Sequence, residues 1–149
     1  MSNGNGKINL TIDGRAIAVE PKKRFYDPVK QREFMVDTTI YDAAQKLGID
    51  IPILCHREHQ IPIGVCRACV VEIPFKDAQG KRVPPRVLTP ACCRAVEPNM
   101  IVETAATSER ANNAVRTVTE LLLADHPSPC QKQRLSNDCS SSCWPTGSA

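Results

Sequence analysis

The chain has 149 residues, a net charge of +3, eight cysteines and few aromatics, a length that suits one compact domain or a domain of roughly 100 residues with an appendage. So small a charge does not argue for a nucleic-acid partner, no stretch approaches the about 18 apolar residues of a membrane span, and the start MSNGNGKINL is too polar for an export signal. The expected location is therefore cytoplasmic, where a reducing environment turns eight cysteines toward metal ligation rather than disulfides.

From Lys7 to Glu20 the apolar residues alternate: Ile8, Leu10 and Ile12 fall on one face, Asp13-Gly14 makes a turn, and Ile17 and Val19 return. This predicts a β-hairpin. The next stretch, PKKRFYDPVKQREFMVD, reads as an inserted solvated loop because prolines bracket a basic run of Lys22, Lys23, Arg24, Lys30 and Arg32. Phe25, Tyr26 and Phe34 among those charges give it a second reading, a docking surface for a larger assembly. Residues Thr38 to Leu47 then place Ile40, Ala43, Ala44 and Leu47 at helical spacing, with Thr39 and Asp42 as a capping box and Gly48 as the stop. A short helix packed on the hairpin is expected.

The segment CHREHQIPIGVCRAC carries Cys55, Cys66 and Cys69 in the spacing C-x10-C-x2-C. Two residues between Cys66 and Cys69 let both sulfurs turn toward one small inorganic centre, as zinc and iron–sulfur sites both require. The loop before the pair, with Ile61, Pro62, Ile63, Gly64 and Val65, is expected to close over such a centre and exclude water. Gly64 lets the main chain approach closely, and amides around it are expected to donate to sulfur. For a fourth thiolate the chain offers two adjacent candidates, Cys92 and Cys93.

The run IPILCHREHQIPIGVCRACVVEI, followed by PACCRAV, resembles the [2Fe-2S] domain at the N-terminus of the large iron–sulfur subunit of respiratory complex I. Related subunits of NAD-linked hydrogenases and formate dehydrogenases share that domain. The resemblance implies a [2Fe-2S] cluster held by Cys55, Cys66, Cys69 and Cys92, with Cys93 on a non-ligand position. The gap of 22 residues before Cys92 is longer than is usual in the family, and KDAQGKRVPP reads as a hairpin insertion within it. Strands are expected at Val70, Val71 and Ile73, around Val87–Leu88 and around Ile101–Val102. With the hairpin and helix they make the β-grasp arrangement of [2Fe-2S] ferredoxins, an α+β fold.

From Ser108 a longer helix is expected, with Ala111, Ala114, Val115, Val118, Leu121 and Leu122 as its apolar stripe and Ser108 as its cap. The stripe is expected to dock on the ferredoxin domain or on a partner. The following segment, LLLADHPSPCQKQRLSNDC, resembles the same family, in which H-x3-C-x2-C-x5-C binds a [4Fe-4S] cluster. His126, Cys130 and Cys139 match the first, second and fourth ligands, Gln133 stands at the third, and Cys143 is the spare thiol nearby. Three outcomes stay open: a [4Fe-4S] cluster on His126, Cys130, Cys139 and Cys143, a labile three-thiol or zinc site, or no cluster. The organisation read from this is a [2Fe-2S] domain over 1–106, with insertions at 22–36 and 75–86, then a helix and His/Cys segment over 107–149. The chain is either a small version of the family or the front of something longer.

The function these readings imply is an electron conduit with no catalytic residue of its own. There is no nucleophile–base pair and no glycine-rich phosphate loop. Electrons would come from a partner subunit holding flavin and NADH and pass to other iron–sulfur subunits, with no membrane insertion of this chain. His56, Arg57, His59, Arg67 and Arg94 flank the ligands and are expected to favour the reduced state. The alternatives are a subunit of an NAD-linked hydrogenase or formate dehydrogenase, a free-standing ferredoxin, and a structural zinc module. For zinc, ligand pairs usually come as two C-x2-C knuckles, and the second is missing.

Overall fold

A computed structural model describes residues 6–57, 60–76 and 78–125. It divides into two compact units, Met1–Val118 and Thr119–Ala149. Of the second, only the end of one helix lies among the described residues, so His126, Cys130, Gln133, Cys139 and Cys143 fall outside them.

The first hairpin forms as its alternation dictates. Strand β1 (Ile8–Ile12) pairs antiparallel with β2 (Arg15–Val19), and Asp13 and Gly14 turn between them at φ 49° and 77°. On the other side of β1 lies β9 (Met100–Val102), parallel to it, so the sheet order is β2-β1-β9. Leu10, Ile12, Val19, Met100 and Val102 point from this mixed sheet into the core. Against it packs α1 (Ile40–Lys46), whose Ile40, Ala43 and Ala44 are fully buried. Its start carries the expected capping box: Asp42 N–H donates to Thr39 Oγ1 (3.3 Å) and Thr39 N–H to Asp42 Oδ2 (2.9 Å). The chain is an α+β protein with mixed sheets and two helices, and Cys69 and Cys92 lie in its core.

The stretch expected to be a loop after the first hairpin is itself a hairpin, β3 (Lys22–Asp27) paired with β4 (Arg32–Asp37). Phe25 and Phe34 face one another across it, with ring centroids 5.3 Å apart, and Asp27 Oδ1 accepts from the N–H groups of Val29 and Lys30 to close the turn. Pro28 thus sits in the turn, where its missing N–H costs no ladder bond. Lys23 reaches Asp42 of α1 at 2.5 Å, tying the hairpin to the helix.

Strand β5 (Val70–Val71) pairs with β8 (Thr89–Pro90), two residues beyond the expected Val87–Leu88. Between them β6 (Phe75–Lys76) and β7 (Arg82–Val83) form the expected hairpin excursion. Glu72 makes an antiparallel bridge to Glu103, which leaves Ile73 outside the strand. Helix α2 (Glu109–Ala124) begins where Ser108 Oγ accepts from Ala111 N–H at 3.1 Å. Of its stripe, Ala111 is buried, Ala114, Val115 and Val118 are half-buried, and Leu121 and Leu122 are exposed.

Candidate metal centre

Two thiols lie at the ends of the long loop, and two lie in the core. Cys55 follows α1 and is held in place by its neighbour: His56 is buried edge-to-face on Tyr41 of α1, ring centroids 5.5 Å apart. Burial lowers the His56 pKa, Lys23 lowers it further and Asp42 opposes the shift. Burial and Lys23 thus both disfavour the charged ring, which runs against its place in the expected set of cations. Arg94 is also discounted, because Glu97 neutralises it at 2.7 Å. Arg57 and Arg67 are exposed, and His59 lies outside the described residues.

The Cys66 thiol feels both the thiol and the main chain of Cys55. Burial works to raise its thiol, but the main-chain N–H groups of Ala68, Cys55 and Leu54, with the Cys55 thiol, outweigh burial and bring it below its ordinary value. Such a thiol gives up its proton readily to a metal. These donors come from the two ends of the loop rather than from the Gly64 region. Arg67, between Cys66 and Cys69, adopts φ 60°, a left-handed conformation that costs a non-glycine residue about 1–2 kcal/mol. It turns the chain between two cysteines, and no residue-type preference in the sequence signals it.

Cys69 and Cys92 are 1% and 0% exposed and belong to the hydrophobic core with Ile12, Ile40, Val71 and Val102. The β5–β8 pairing sets Val70 opposite Pro90, and one residue out on each strand Ala91 N–H donates to the Cys69 carbonyl at 2.9 Å. The Ala91 carbonyl in turn accepts from Tyr41 N–H of α1 at 3.1 Å. Cys92 is thereby placed beside Cys69. The long gap before it is absorbed by the β6–β7 excursion, which returns the chain to the same strand pairing. Burial raises the Cys92 thiol, and the adjacent sulfurs of Cys69 and Cys93 push it the same way.

Cys93 is exposed, with its sulfur 3.5 Å from that of Cys92. The loop lies against it at Gly64, whose φ is +66°; a Cβ there would sit 2.6 Å from Cys93 Sγ. Gly64 is buried, but Ile61, Ile63 and Val65 are 58%, 66% and 67% exposed. The loop thus covers this region with main chain, and its apolar side chains face solvent rather than sealing the site as expected.

Among the described residues no three or more His, Cys, Asp or Glu side chains gather as ligands for one metal ion. Cys69 and Cys92 lie side by side in the core, joined through the Ala91 N–H bond to the Cys69 carbonyl, and the Cys55 and Cys66 thiols act on one another from the two ends of the loop. Two pairs suit a binuclear centre in which each iron takes two terminal thiolates, whereas a structural zinc ion draws four ligands to one point. The donor set fits a [2Fe-2S] cluster.

Residues 5–107 match the family described as "2Fe-2S iron-sulfur cluster binding domain". The NADP-reducing hydrogenase subunit HndD of Solidesulfovibrio fructosivorans is 36% identical over 137 residues, covering 89% of this chain and 19% of the relative. The mitochondrial NADH-ubiquinone oxidoreductase 78 kDa subunit of Neurospora crassa is 31% identical over 83% of this chain and 13% of its own length. The NADPH-Fe(3+) oxidoreductase subunit alpha of Geobacter sulfurreducens is 33% identical over 95% of this chain and 14% of its own length. This chain therefore spans less than a fifth of these relatives. A chain in the crystal structure of an NAD+-reducing [NiFe]-hydrogenase in the H2-reduced state aligns with a TM-score of 0.57 at 25% identity, over 83% of this chain and 41% of that one.

Proposed function

Because this chain belongs to the family of 2Fe-2S iron–sulfur cluster binding domains, it is an electron-transfer domain, and we propose that Cys55, Cys66, Cys69 and Cys92 are its cluster ligands. The observation that supports the assignment is the placing of Cys69 and Cys92 side by side in the core, through the Ala91 N–H bond to the Cys69 carbonyl, within the residues that match the family. Cys55 and Cys66 would share one iron, Cys69 and Cys92 the other. When bound, the cluster takes up and releases one electron at a time. The main-chain N–H groups of Leu54, Cys55 and Ala68 favour negative charge on the Cys66 sulfur, and so favour the reduced state. Exposed Arg57 and Arg67 are screened by solvent and contribute less.

The domain serves as a relay within an NAD(P)H-linked oxidoreductase of the complex I type, beside a flavin- and NADH-binding subunit and other iron–sulfur subunits. The relatives' names support this reading, since they describe subunits of NADH-, NADPH- and hydrogen-linked enzymes. The exposed Ile61, Ile63 and Val65 of the cluster loop offer the face for electron exchange. Among the described residues no helix is long and apolar enough to cross a membrane, and a cytoplasmic position, peripheral on the inner face of the membrane through the complex, goes with the proposal. For the C-terminal segment, His126, Cys130, Cys139 and Cys143 are the ligand set offered to a second, [4Fe-4S] cluster.

An EPR-monitored redox titration of the anaerobically prepared chain tests the relay. A reversible one-electron wave, with no turnover of NADH by the chain alone, is the expected result. NADH oxidation by the isolated chain, or irreversible bleaching on the first reduction, contradicts it.

A further inference from the structure

We propose that Cys93, itself not a ligand, donates an S–H···S hydrogen bond to the Cys92 sulfur and thereby raises the potential at which the site accepts its electron. The inference rests on the four-thiolate reading above. The two sulfurs stand 3.5 Å apart, a distance at which either thiol can be the donor. Once Cys92 is a metal-bound thiolate it has no proton to give, and Cys93 alone can donate.

Cys93 is held in that position from both sides. Its own N–H and that of Arg94 converge on the Pro90 carbonyl, each at 3.2 Å, and fix the turn that carries both cysteines. Its sulfur then occupies the space left open by the missing side chain of Gly64, and its Cβ is 3.7 Å from where the Gly64 Cβ would be. An exposed residue has no packing reason to turn its sulfur toward a neighbouring strand-end cysteine. Here the loop backbone at Gly64 lies over Cys93 and keeps the thiol beside Cys92.

The energetic consequence has a definite sign. A hydrogen bond to a ligand sulfur is stronger when the site carries an additional electron, because part of that charge resides on sulfur. It therefore stabilises the reduced form more than the oxidised one, and its loss lowers the potential. Cys93 is in this sense a positioning residue for the charge on Cys92.

The test compares the wild-type chain with Cys93→Ala and Cys93→Ser, each reconstituted anaerobically with iron and sulfide, by EPR-monitored redox titration. All three are expected to keep the same visible spectrum and about two irons per chain at this site. The midpoint is expected to fall in Cys93→Ala and to fall less in Cys93→Ser, whose hydroxyl retains a donor on a shorter arm. An unchanged midpoint in Cys93→Ala overturns the inference, as do equal falls in both variants. Loss of the cluster from either variant also overturns it, because Cys93 would then be a ligand. A wild-type chain that takes up no cluster at all overturns the functional reading first, and this inference with it.

Discussion

Cys92→Ser is expected to remove most of the visible absorption and iron of the [2Fe-2S] site, and Cys93→Ser is expected to remove neither. The two residues are adjacent, yet the fold treats them oppositely. Cys92 is fully buried beside Cys69, at a point fixed by the hydrogen bonds of Ala91 to Cys69 and Tyr41. Its thiol is pushed up by burial and by its sulfur neighbours, so an occupied metal centre is what draws the proton off. A serine hydroxyl at that place is a hard, weakly acidic oxygen and holds iron poorly. Cys93 reaches the surface, and a hydroxyl there leaves the four proposed ligands unchanged. Visible absorption and iron content of the two variants, purified without oxygen, check the assignment. The reverse pattern would move the ligand one residue along the turn and break the pairing of Cys92 with Cys69.

Ile40→Ala is expected to cost about 2–5 kcal/mol of stability and to shorten the lifetime of the bound cluster without altering its spectrum. Ile40 is 0% exposed and shares one core with Cys69, Ala91 and Cys92. Its side chain carries no donor atom for a metal, and its N–H bond to the Arg94 carbonyl at 2.9 Å survives the substitution. The cavity left behind instead loosens the packing that holds two of the thiols in place. Val29→Ala, at the tip of the β3–β4 hairpin where the residue is 88% exposed, is the control and should change neither property. The checks are the melting temperature and the rate of bleaching in the presence of an iron chelator. A lower melting temperature with unchanged bleaching would separate the ligands from the core.

Much of this arrangement was legible in the residues, because local rules and tertiary packing agreed there. The alternation from Ile8 to Val19, the Thr39–Asp42 capping box, the Gly48 stop and the Ser108 cap all predict what is found, and the cysteine spacing led to the family. The β3–β4 hairpin was hidden by its charges: Lys22, Lys23 and Arg24 read as a solvated run, although Phe25 and Phe34 pair across two strands. A proline inside the turn looked like a break. The placement of β8 at Thr89–Pro90 depends on pairing with distant Val70–Val71, which no local pattern encodes.

Within the candidate site, the sequence supplied the thiols but not the groups that act on them. The donors to Cys66 are main-chain N–H groups, available from every residue type except proline, so nothing marked Leu54 or Ala68 in advance. Arg67 takes a backbone conformation favoured by glycine. His56 stands among the flanking cations in the sequence, yet its burial on Tyr41 disfavours the charged ring. Gly64 was expected to let the main chain run close to an inorganic centre, and a side chain there would also meet the Cys93 sulfur, which no sequence pattern signals.

The most direct test of the account is a joint count of iron, zinc and acid-labile sulfide in anaerobically purified chain, with the spin of the dithionite-reduced protein measured by EPR. About two irons and two sulfides per chain with about one unpaired spin are predicted, rising to about six irons, six sulfides and two spins if the C-terminal ligand set is also filled. A colourless protein carrying about one zinc per chain and no acid-labile sulfide would contradict the account.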